Sequence, residues 1–270
     1  MAACRRRRWG GNGDGRGGGN SGKLNSLPLV LVHGFPLDHR MWPMRGELAQ
    51  GRTVLAPSLP GFGGTAAPAR PGSMGVYADF ILAETGRSGI GRAVFCGLSM
   101  GGYVLFELLR RAPERVAGLV LCDTRAEAEP AGARSARESA IALVEAGRRA
   151  EFLGGFSLRL AAPAALADPV FRGLLESMGE AVSDEGLAAA LEALRDRTDS
   201  RPLLPKVRVP VLVIVGEEDG LTPPALAESM HRAIPGSRLE VIPGAGHLAP
   251  LERPAAFTDA LERFLRDARL

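Results

Sequence analysis

Ser99 stands between two glycines in the stretch F-C-G-L-S-M-G-G-Y, which covers residues 95–103. The residues before Ser99 form a short apolar run, and those after it repeat apolar side chains at helical spacing. A strand would therefore turn sharply into a helix at Ser99. Gly97 and Gly101 carry no Cβ atoms to obstruct such a turn, which is the G-x-S-x-G pattern of a nucleophile elbow. In a chain with 35 glycines, the same pattern also fits a small hydroxyl at a purely structural turn.

A serine hydroxyl needs a base that accepts its proton and a carboxylate that orients this base. The chain has four histidines, which are His33, His39, His231 and His247. His247 lies in P-G-A-G-H-L-A-P, a loop after the last apolar run and before the last helical segment, and is the predicted base. His33 ends a strand-like run, where we expect it to brace a loop. His39 begins a helical segment, and His231 lies within one and is expected at the surface.

The predicted carboxylate is Asp219, which follows the apolar run in V-L-V-I-V-G-E-E-D. Asp123 follows another apolar run and is the competing candidate, and Glu217 and Glu218 remain as further alternatives. The order serine, Asp219, histidine along the chain is the order expected for this type of elbow. The three residue types and their order together predict acyl transfer through a serine nucleophile.

Six apolar runs have the length and composition of buried strands, and most are separated by helical segments. They are L-P-L-V-L-V, T-V-L-A-P, A-V-F-C, V-A-G-L-V-L-C, V-P-V-L-V-I-V and R-L-E-V-I-P. Continuous apolar strands that alternate with helices predict an α/β fold with a mostly parallel sheet covered on both faces. Ligands of such sheets bind at the carboxyl ends of the strands, where the candidate triad residues lie.

The length of 270 residues and the hydrophobic content of 46% fit one α/β domain with an insertion. We assign the core to residues 27–123 and 206–270. Residues 124–205 are rich in alanine, glutamate and arginine and are expected to form a helical cap. Residues 1–26 form a glycine- and arginine-rich tail with few apolar side chains, which we expect to be disordered.

Charge is distributed unevenly along the chain. The first 26 residues hold six basic residues against Asp14 and carry a net charge of +5, whereas the whole chain carries +3, so the remainder is mildly acidic at −2. A basic face on a folded domain is what nucleic-acid binding requires, so no nucleic-acid partner is expected. The chain also lacks an apolar stretch of membrane-spanning length and an export signal, and we expect a cytoplasmic protein without a membrane partner.

The three cysteines, Cys4, Cys96 and Cys122, are odd in number and widely spaced. This spacing indicates neither a disulfide framework nor a zinc site, and buried thiols in a reducing compartment are expected. We expect no metal and no cofactor, with a small-molecule ester as the only partner. The oligomeric state stays open.

The motifs H-G-F-P, G-L-S-M-G-G, G-E-E-D and G-A-G-H together resemble the α/β-hydrolase superfamily, in its branch of serine esterases, enol-lactonases and cofactor-free haloperoxidases. The resemblance covers the chain from residue 27 onward. It implies Ser99 as nucleophile, His247 as base and Asp219 as the carboxylate that orients the base. It further implies an oxyanion hole formed by the backbone N–H groups of Phe35 and Met100.

Three features depart from the pattern of this family. The β-hairpin that normally precedes the first H-G strand has no counterpart in the glycine-rich tail and is expected to be missing. Ser58 stands where relatives usually have aspartate, and Thr65 stands where they usually have serine.

Dehalogenases and epoxide hydrolases of this fold attack with an aspartate at the elbow, so the serine at this position indicates acyl transfer instead.

Three functions fit these observations. The first is a carboxylesterase that cleaves carboxylic esters through an acyl-enzyme. The second is a related activity of the same triad, either a lactonase like 3-oxoadipate enol-lactonase or a perhydrolase. The third is a non-catalytic ligand-binding protein of the hydrolase fold, which is disfavoured because all three triad residues are present.

The substrate pocket is predicted from the cap. Phe152, Phe156, Phe171 and Met178 are candidates for an apolar acyl pocket, although their helical spacing also fits the packed interior of the cap. Arg125 is a candidate anchor for a substrate carboxylate. Three acidic residues lie close to it in D-T-R-A-E-A-E, so a structural ion pair is the favoured interpretation, and uncharged esters are the expected substrates.

Overall fold

The computed structural model describes residues 26–270. The expected disorder of the tail and the state of Cys4 concern residues 1–25 and therefore lie outside the described residues, and only the last residue of the predicted tail lies within them. None of the helices in the described part of the chain has the length and apolar character needed to cross a membrane.

A six-stranded sheet forms the centre of the fold, in the order β2-β1-β3-β4-β5-β6. Every neighbouring pair is parallel, so the predicted mostly parallel sheet is confirmed and is wholly parallel between residues 26 and 270. No hairpin precedes β1 within this range. The strands are β1 Leu29–Val32, β2 Val54–Leu55, β3 Ala93–Leu98, β4 Val116–Cys122, β5 Val211–Gly216 and β6 Arg238–Ile242.

Eleven α-helices surround the sheet in the described residues. Several begin at side chains that accept a hydrogen bond from the first turn, such as Ser73 before α2 and Ser183 before α8. The helices are α1 Arg45–Leu48, α2 Met74–Arg87, α3 Met100–Arg111, α4 Ala131–Glu145, α5 Arg149–Ser157, α6 Pro163–Leu166, α7 Pro169–Glu180, α8 Asp184–Arg195, α9 Pro224–Ala233, α10 Ala249–Glu252 and α11 Pro254–Asp267.

The strands are apolar on both faces because helices cover both sides of the sheet. In β1, Val30 and Val32 belong to one hydrophobic cluster, which also contains residues of α2, α3 and α8. Leu29 and Leu31 belong to a second cluster, which contains residues of α11. Successive side chains of a buried strand point to opposite faces of the sheet, so alternate residues of β1 pack into two different hydrophobic clusters. Because both faces are covered, every position is apolar and the strand appears in the sequence as a continuous apolar run.

Helices α4 to α8 lie between β4 and β5, and we call them the inserted helices. The whole stretch between these two strands is the inserted segment. The last of them, α8, packs closely against the loop that precedes α2. A Cβ atom on Gly186 would lie 2.6 Å from the Cα atom of Gly61, and one on Gly72 would lie 2.0 Å from the carbonyl oxygen of Ala189. Glycine is therefore required where this loop and α8 meet.

The strand order reverses at β1, which has β2 on one side and β3 on the other. In open parallel sheets such a switch point leaves a crevice at the carboxyl ends of the two diverging strands. The loop after β1 contains His33 and Phe35, and the turn after β3 contains Ser99. The fold thus brings the H-G-F-P loop and the elbow to the same crevice.

Candidate active site

The backbone at Ser99 turns sharply between β3 and α3. Ser99 has φ 53° and ψ −112°, which is a left-handed conformation that is rare for a residue with a side chain. Hydrogen bonds hold it there: its N–H donates to the Cys122 carbonyl at 2.9 Å, and its carbonyl accepts from the Thr124 hydroxyl at 2.8 Å. The strained turn presents the Ser99 side chain at the N-terminus of α3.

The two glycines of the elbow are required by close backbone contacts. A Cβ atom on Gly97 would lie 2.6 Å from the backbone of Gly101, and a Cβ atom on Gly101 would lie 2.2 Å from the carbonyl oxygen of Val32. Neither position has room for a side chain. The G-x-S-x-G spacing therefore reflects the packing of α3 against both β1 and β3.

Ser99, His247 and Asp219 form one continuous hydrogen-bonded chain. The Ser99 Oγ lies 2.9 Å from His247 Nε2, and His247 Nδ1 lies 2.9 Å from Asp219 Oδ2. The three residues follow β3, β6 and β5 and meet at the carboxyl edge of the sheet. This is the geometry in which an imidazole can accept the proton of a serine hydroxyl while a carboxylate fixes its orientation.

Asp219 is 2% exposed and is held as a carboxylate by donors on both oxygens. Its Oδ1 accepts from the N–H groups of Leu221 and Thr222, and its Oδ2 accepts from the Thr222 hydroxyl at 2.5 Å. Burial by itself would raise the pKa of Asp219, but the charge and hydrogen bond of His247 and the bonds from Thr222 lower it to about 2. The group is therefore ionised throughout the physiological range.

His247 is 3% exposed. Burial acts to lower its pKa, but the negative charge and hydrogen bond of Asp219, with contributions from Asp123 and Glu252, outweigh burial and raise the pKa above 6.5. The imidazole is thus a somewhat stronger base than an ordinary histidine, which suits the removal of a serine proton.

The competing carboxylates form no hydrogen bond or ion pair with His247. Asp123 follows β4 directly, is fully buried, and accepts hydrogen bonds from the N–H of Gly216 at 2.7 Å and from the Cys122 thiol at 3.0 Å. Burial and the negative charge of Asp219 raise the pKa of Asp123 to about 8. Glu217 accepts from the N–H of Gly244. Of the four acidic candidates, only Asp219 hydrogen-bonds to the histidine.

The loop that carries His247 is held by Glu252, a residue that sequence reasoning missed. The Glu252 carboxylate accepts from the N–H groups of Gly246 and Leu248, the two neighbours of His247, each at 2.9 Å. The same carboxylate accepts from the N–H of Ala162, in the inserted segment, at 2.9 Å. Glu252 thus fixes the backbone on both sides of His247 and connects it to the inserted helices.

Two backbone N–H groups are free at the positions expected for an oxyanion hole. The N–H of Phe35 donates to no acceptor among residues 26–270. Met100 is the first residue of α3, so its N–H has no acceptor within that helix. The positive end of the α3 dipole adds to the stabilisation of negative charge at this point.

The other three histidines make hydrogen bonds outside the triad. His33 is fully buried and bridges the Gly34 carbonyl and the Leu59 N–H, at 2.9 and 2.8 Å, in agreement with the expected bracing role. Burial lowers the pKa of His33 to about 4, so the ring is neutral. His39 and His231 hydrogen-bond to serine hydroxyls away from the triad.

A cavity of about 350 Å³ opens beside Ser99 and His247. Of the predicted pocket residues, Arg125, Phe152 and Phe156 line it, whereas Phe171 and Met178 do not. Met178 is fully buried in the second hydrophobic cluster, and Phe171 packs against that same cluster. Helical spacing alone could not show whether this face of α7 points to the cavity or to the core. In the structure it points to the core.

Arg125 differs from its expected role. The sequence favoured an ion pair with one of its acidic neighbours, but no carboxylate lies within 4 Å of its guanidinium among the described residues. Its guanidinium instead donates to the Leu221 carbonyl. The neighbouring Glu129 is paired with Arg137 and Arg197, which come from elsewhere in the inserted segment. Ion pairing here follows the tertiary packing rather than proximity in sequence.

Cys96 and Cys122 are buried and unpaired, and burial raises the pKa of each thiol. Between residues 26 and 270, no group of three or more His, Cys, Asp and Glu side chains has an arrangement that could hold a metal ion. Thr222 is a further residue that sequence analysis missed. Its only signal in the sequence is its position three residues after Asp219.

Comparison with known proteins finds relatives that are named as esterases and as an enol-lactonase. A methyl ester esterase of pimeloyl-[acyl-carrier protein] from Aromatoleum aromaticum is 34% identical, over 90% of this chain and the whole of that protein. 3-Oxoadipate enol-lactonase 2 from Acinetobacter baylyi is 28% identical, over 91% of each chain. A thermophilic esterase from Thermogutta terrifontis, solved with malate bound, is 38% identical with a TM-score of 0.87, over 90% of this chain and 91% of that one.

Residues 29–260 match the model of the alpha/beta hydrolase family, a span that includes every strand and all three residues of the hydrogen-bonded chain. The fold class and the family resemblance predicted from the motifs are therefore confirmed. This chain belongs to the alpha/beta hydrolase family.

Proposed function

We propose that this protein is a serine carboxylesterase that cleaves small carboxylic esters through an acyl-enzyme. The observation that carries this proposal is the unbroken chain from Ser99 through His247 to Asp219, with 2.9 Å at both hydrogen bonds of the histidine. A cavity of about 350 Å³ beside Ser99 is at the small end of ligand pockets and suits a small-molecule substrate.

In the first half of the reaction, the Ser99 Oγ attacks the ester carbonyl as His247 Nε2 accepts its proton. The carbonyl oxygen becomes negative in the tetrahedral intermediate, where the N–H groups of Phe35 and Met100 stabilise it. The intermediate collapses, the bond to the alkoxy oxygen breaks, and His247 gives its proton to the departing alcohol. Asp219 stabilises the imidazolium throughout these steps.

In the second half, a water molecule attacks the acyl-enzyme while His247 accepts a proton from it. The second tetrahedral intermediate releases the carboxylic acid, and the proton returns from His247 to the Ser99 oxygen. Overall, one ester and one water give one acid and one alcohol. The enzyme returns to its starting protonation state without a cofactor.

Relatives support this reaction class and suggest a second candidate. Two of the relatives described above are named as esterases. The enol-lactonase from Acinetobacter baylyi favours a lactonase activity as the alternative, because a lactone is a cyclic ester that the same steps would open. In that case the departing alcohol remains attached to the acyl group.

Fluorophosphonate labelling tests the proposal directly, since the reagent forms an adduct only with an activated serine. We expect one adduct at Ser99 in wild type and none in Ser99→Ala. Ser99→Ala and His247→Ala should each lower ester turnover by about 10⁴-fold or more, because the members of a triad act as a unit. If wild type is not labelled and does not hydrolyse esters, a non-catalytic ligand-binding protein replaces this proposal.

A further inference from the structure

The wall of the cavity on the side of the inserted segment is strongly cationic. Four guanidinium groups line it, and Glu129 is the only carboxylate that lines it with them. Arginine stays protonated under all ordinary conditions, so the cavity holds an excess of positive charge. The four are Arg125, Arg137, Arg159 and Arg197.

Two of these arginines are committed to structural contacts. Arg197 is ion-paired with Glu129, donates to the carbonyls of Glu127 and Leu194, and stacks 4.5 Å from the centre of the Tyr103 ring. The Arg137 Nε lies 3.3 Å from the same Glu129 carboxylate. One carboxylate is therefore shared by two cations.

The other two arginines lack any anionic partner in the described part of the chain. The guanidinium of Arg159 makes no hydrogen bond or ion pair with residues 26–270. Arg125 uses one of its donors on the Leu221 carbonyl and meets no carboxylate. Burial lowers the pKa of Arg137, Tyr103 opposes this, and the positive charges of Arg159 and Arg125 lower it further. The positive charges of Arg125 and Arg159 therefore both act on Arg137.

We propose that Arg125 and Arg159 form a subsite for a carboxylate carried by the substrate. The preferred substrates would then be monoesters of dicarboxylic acids, with the ester at Ser99 and the free carboxylate at this subsite. A guanidinium presents paired N–H donors that match the two oxygens of a carboxylate. This inference rests on the proposed ester hydrolysis and assigns its substrate class.

The rest of the cavity wall suits the chain between the two ends of such a substrate. Phe152 and Phe156 stack on each other, with ring centres 5.7 Å apart, and Phe35 packs against both. These rings line the same cavity as Ser99 and the arginines. A cavity that combines the nucleophile, apolar rings and a cationic wall fits a short methylene chain that ends in a negative charge.

This proposal replaces the preference for uncharged esters that the sequence predicted. That prediction assumed that acidic neighbours neutralise Arg125. In the structure, Glu129 is instead paired with Arg137 and Arg197. An anionic group of the substrate would therefore be the partner of Arg125.

A matched pair of substrates tests the subsite. Monomethyl adipate and methyl hexanoate have acyl chains of equal length and differ by a terminal carboxylate, and hydrolysis of both can be followed by acid release. We expect wild-type kcat/KM to be about tenfold or more higher for monomethyl adipate. Arg125→Ala and Arg159→Ala should each lower this value about tenfold to a hundredfold, mainly through KM, and change methyl hexanoate less than threefold.

Arg148→Ala is the matched control. Arg148 precedes α5 as Arg159 follows it, but it pairs with Glu151 at the surface and does not line the cavity. It should leave both substrates unaffected. Equal kcat/KM for the two esters in wild type, or an equal loss for both in the arginine variants, would overturn the subsite. Preference for methyl 5-phosphonopentanoate over monomethyl adipate would overturn the assignment to a carboxylate.

Failure of the esterase proposal is separable from failure of the subsite. If methyl hexanoate is hydrolysed and Ser99 is labelled without a preference for monomethyl adipate, only the subsite is wrong. If neither ester is hydrolysed, calorimetric titration of wild type with free adipate decides the question. Binding that Arg159→Ala removes and Arg148→Ala retains supports the subsite, and no binding overturns it.

Discussion

The basicity of His247 depends mainly on Asp219, with smaller contributions from Asp123 and Glu252. Asp219 receives the Nδ1 hydrogen bond, and Asp123 lies nearby without contacting the ring. Burial and the negative charge of Asp219 raise the pKa of Asp123 to about 8, which favours its neutral form. Asp219 therefore supplies the largest share of the negative charge that acts on the imidazole.

The pH dependence of turnover should reflect this arrangement. The base must be neutral to accept the Ser99 proton, and the pKa of His247 is raised above 6.5, so a more alkaline solution is needed to deprotonate it. We expect kcat/KM for a neutral ester to rise with pH through one ionisation whose midpoint lies above 6.5. In Asp219→Asn the midpoint should shift to lower pH as the rate falls. A profile that is flat from pH 5 to 9 would contradict this role of His247.

Glu252 offers a test of how the histidine is positioned. Glu252→Gln leaves one acceptor oxygen where the carboxylate has two, so at least one of the three N–H bonds that the Glu252 carboxylate accepts must be lost. We expect kcat to fall about tenfold to a hundredfold, because small displacements of a catalytic group are costly, with KM almost unchanged. The rate of fluorophosphonate labelling should fall in parallel.

Glu176→Gln is the control for this prediction, since Glu176 is exposed on α7 and the change of charge is the same. It should leave kcat and the labelling rate at the wild-type values. A rise of KM with unchanged kcat in Glu252→Gln would show that Glu252 acts on substrate binding and not on the position of His247.

The triad residues could be predicted from sequence because each follows an apolar strand, and parallel strands end at the same edge of a sheet. Chain order alone does not separate Asp123 from Asp219, because both follow strands and both lie between Ser99 and His247. The hydrogen bond to His247 separates them. Glu252 was not found because its role depends on the end of the short helix α10 lying against the His247 loop. Its acceptor bonds to backbone N–H groups leave no pattern in the sequence.

At the scale of elements, α3 can pack closely against β1 only because Gly101, in its first turn, has no side chain. Gly101→Ala should distort the elbow, because its Cβ atom would lie 2.2 Å from the Val32 carbonyl oxygen, which belongs to β1 and has no freedom to move. We expect turnover to be lost and the melting temperature to fall. Overpacking of this kind costs about 1–3 kcal/mol or more.

Gly173→Ala is the control for the elbow. Gly173 lies within α7, and an added Cβ atom would meet nothing within 4 Å. Alanine in a helix is more favourable than glycine by about 1 kcal/mol, so this variant should be fully active and equally or more stable. A Gly101→Ala variant with wild-type activity and melting temperature would show that the elbow has more room than these contacts imply.

Elements differed in how far sequence could define them. The six strands were identifiable because burial on both faces requires continuous apolar runs. The sequence predicted that the inserted segment is helical, but it could not predict which of its helices are buried. Residues of α8 such as Leu187 and Leu191 join the hydrophobic cluster that contains sheet residues, whereas α5 has no fully buried residue. Which helix meets the core depends on contacts between distant segments.

At the scale of the whole molecule, Glu192 connects the inserted helices to the loop before α2. This residue of α8 is 8% exposed, and its carboxylate accepts from the N–H of Gly72 at 2.8 Å and from Arg70 at 2.5 Å. Arg70 also reaches Glu145 at the end of α4. Two inserted helices, α4 and α8, are therefore connected to the loop that precedes α2.

Glu192→Ala should reveal whether the inserted helices unfold with the sheet. The variant leaves the buried N–H of Gly72 without an acceptor, which costs about 1–3 kcal/mol. Because α8 shares a hydrophobic cluster with the strands, we expect the loss to appear as one cooperative transition at a lower melting temperature. Glu151→Ala, which removes an exposed ion pair with Arg148, should leave the transition unchanged. Two separate transitions in Glu192→Ala, with the second at the wild-type temperature, would show that the inserted helices form an independent unit.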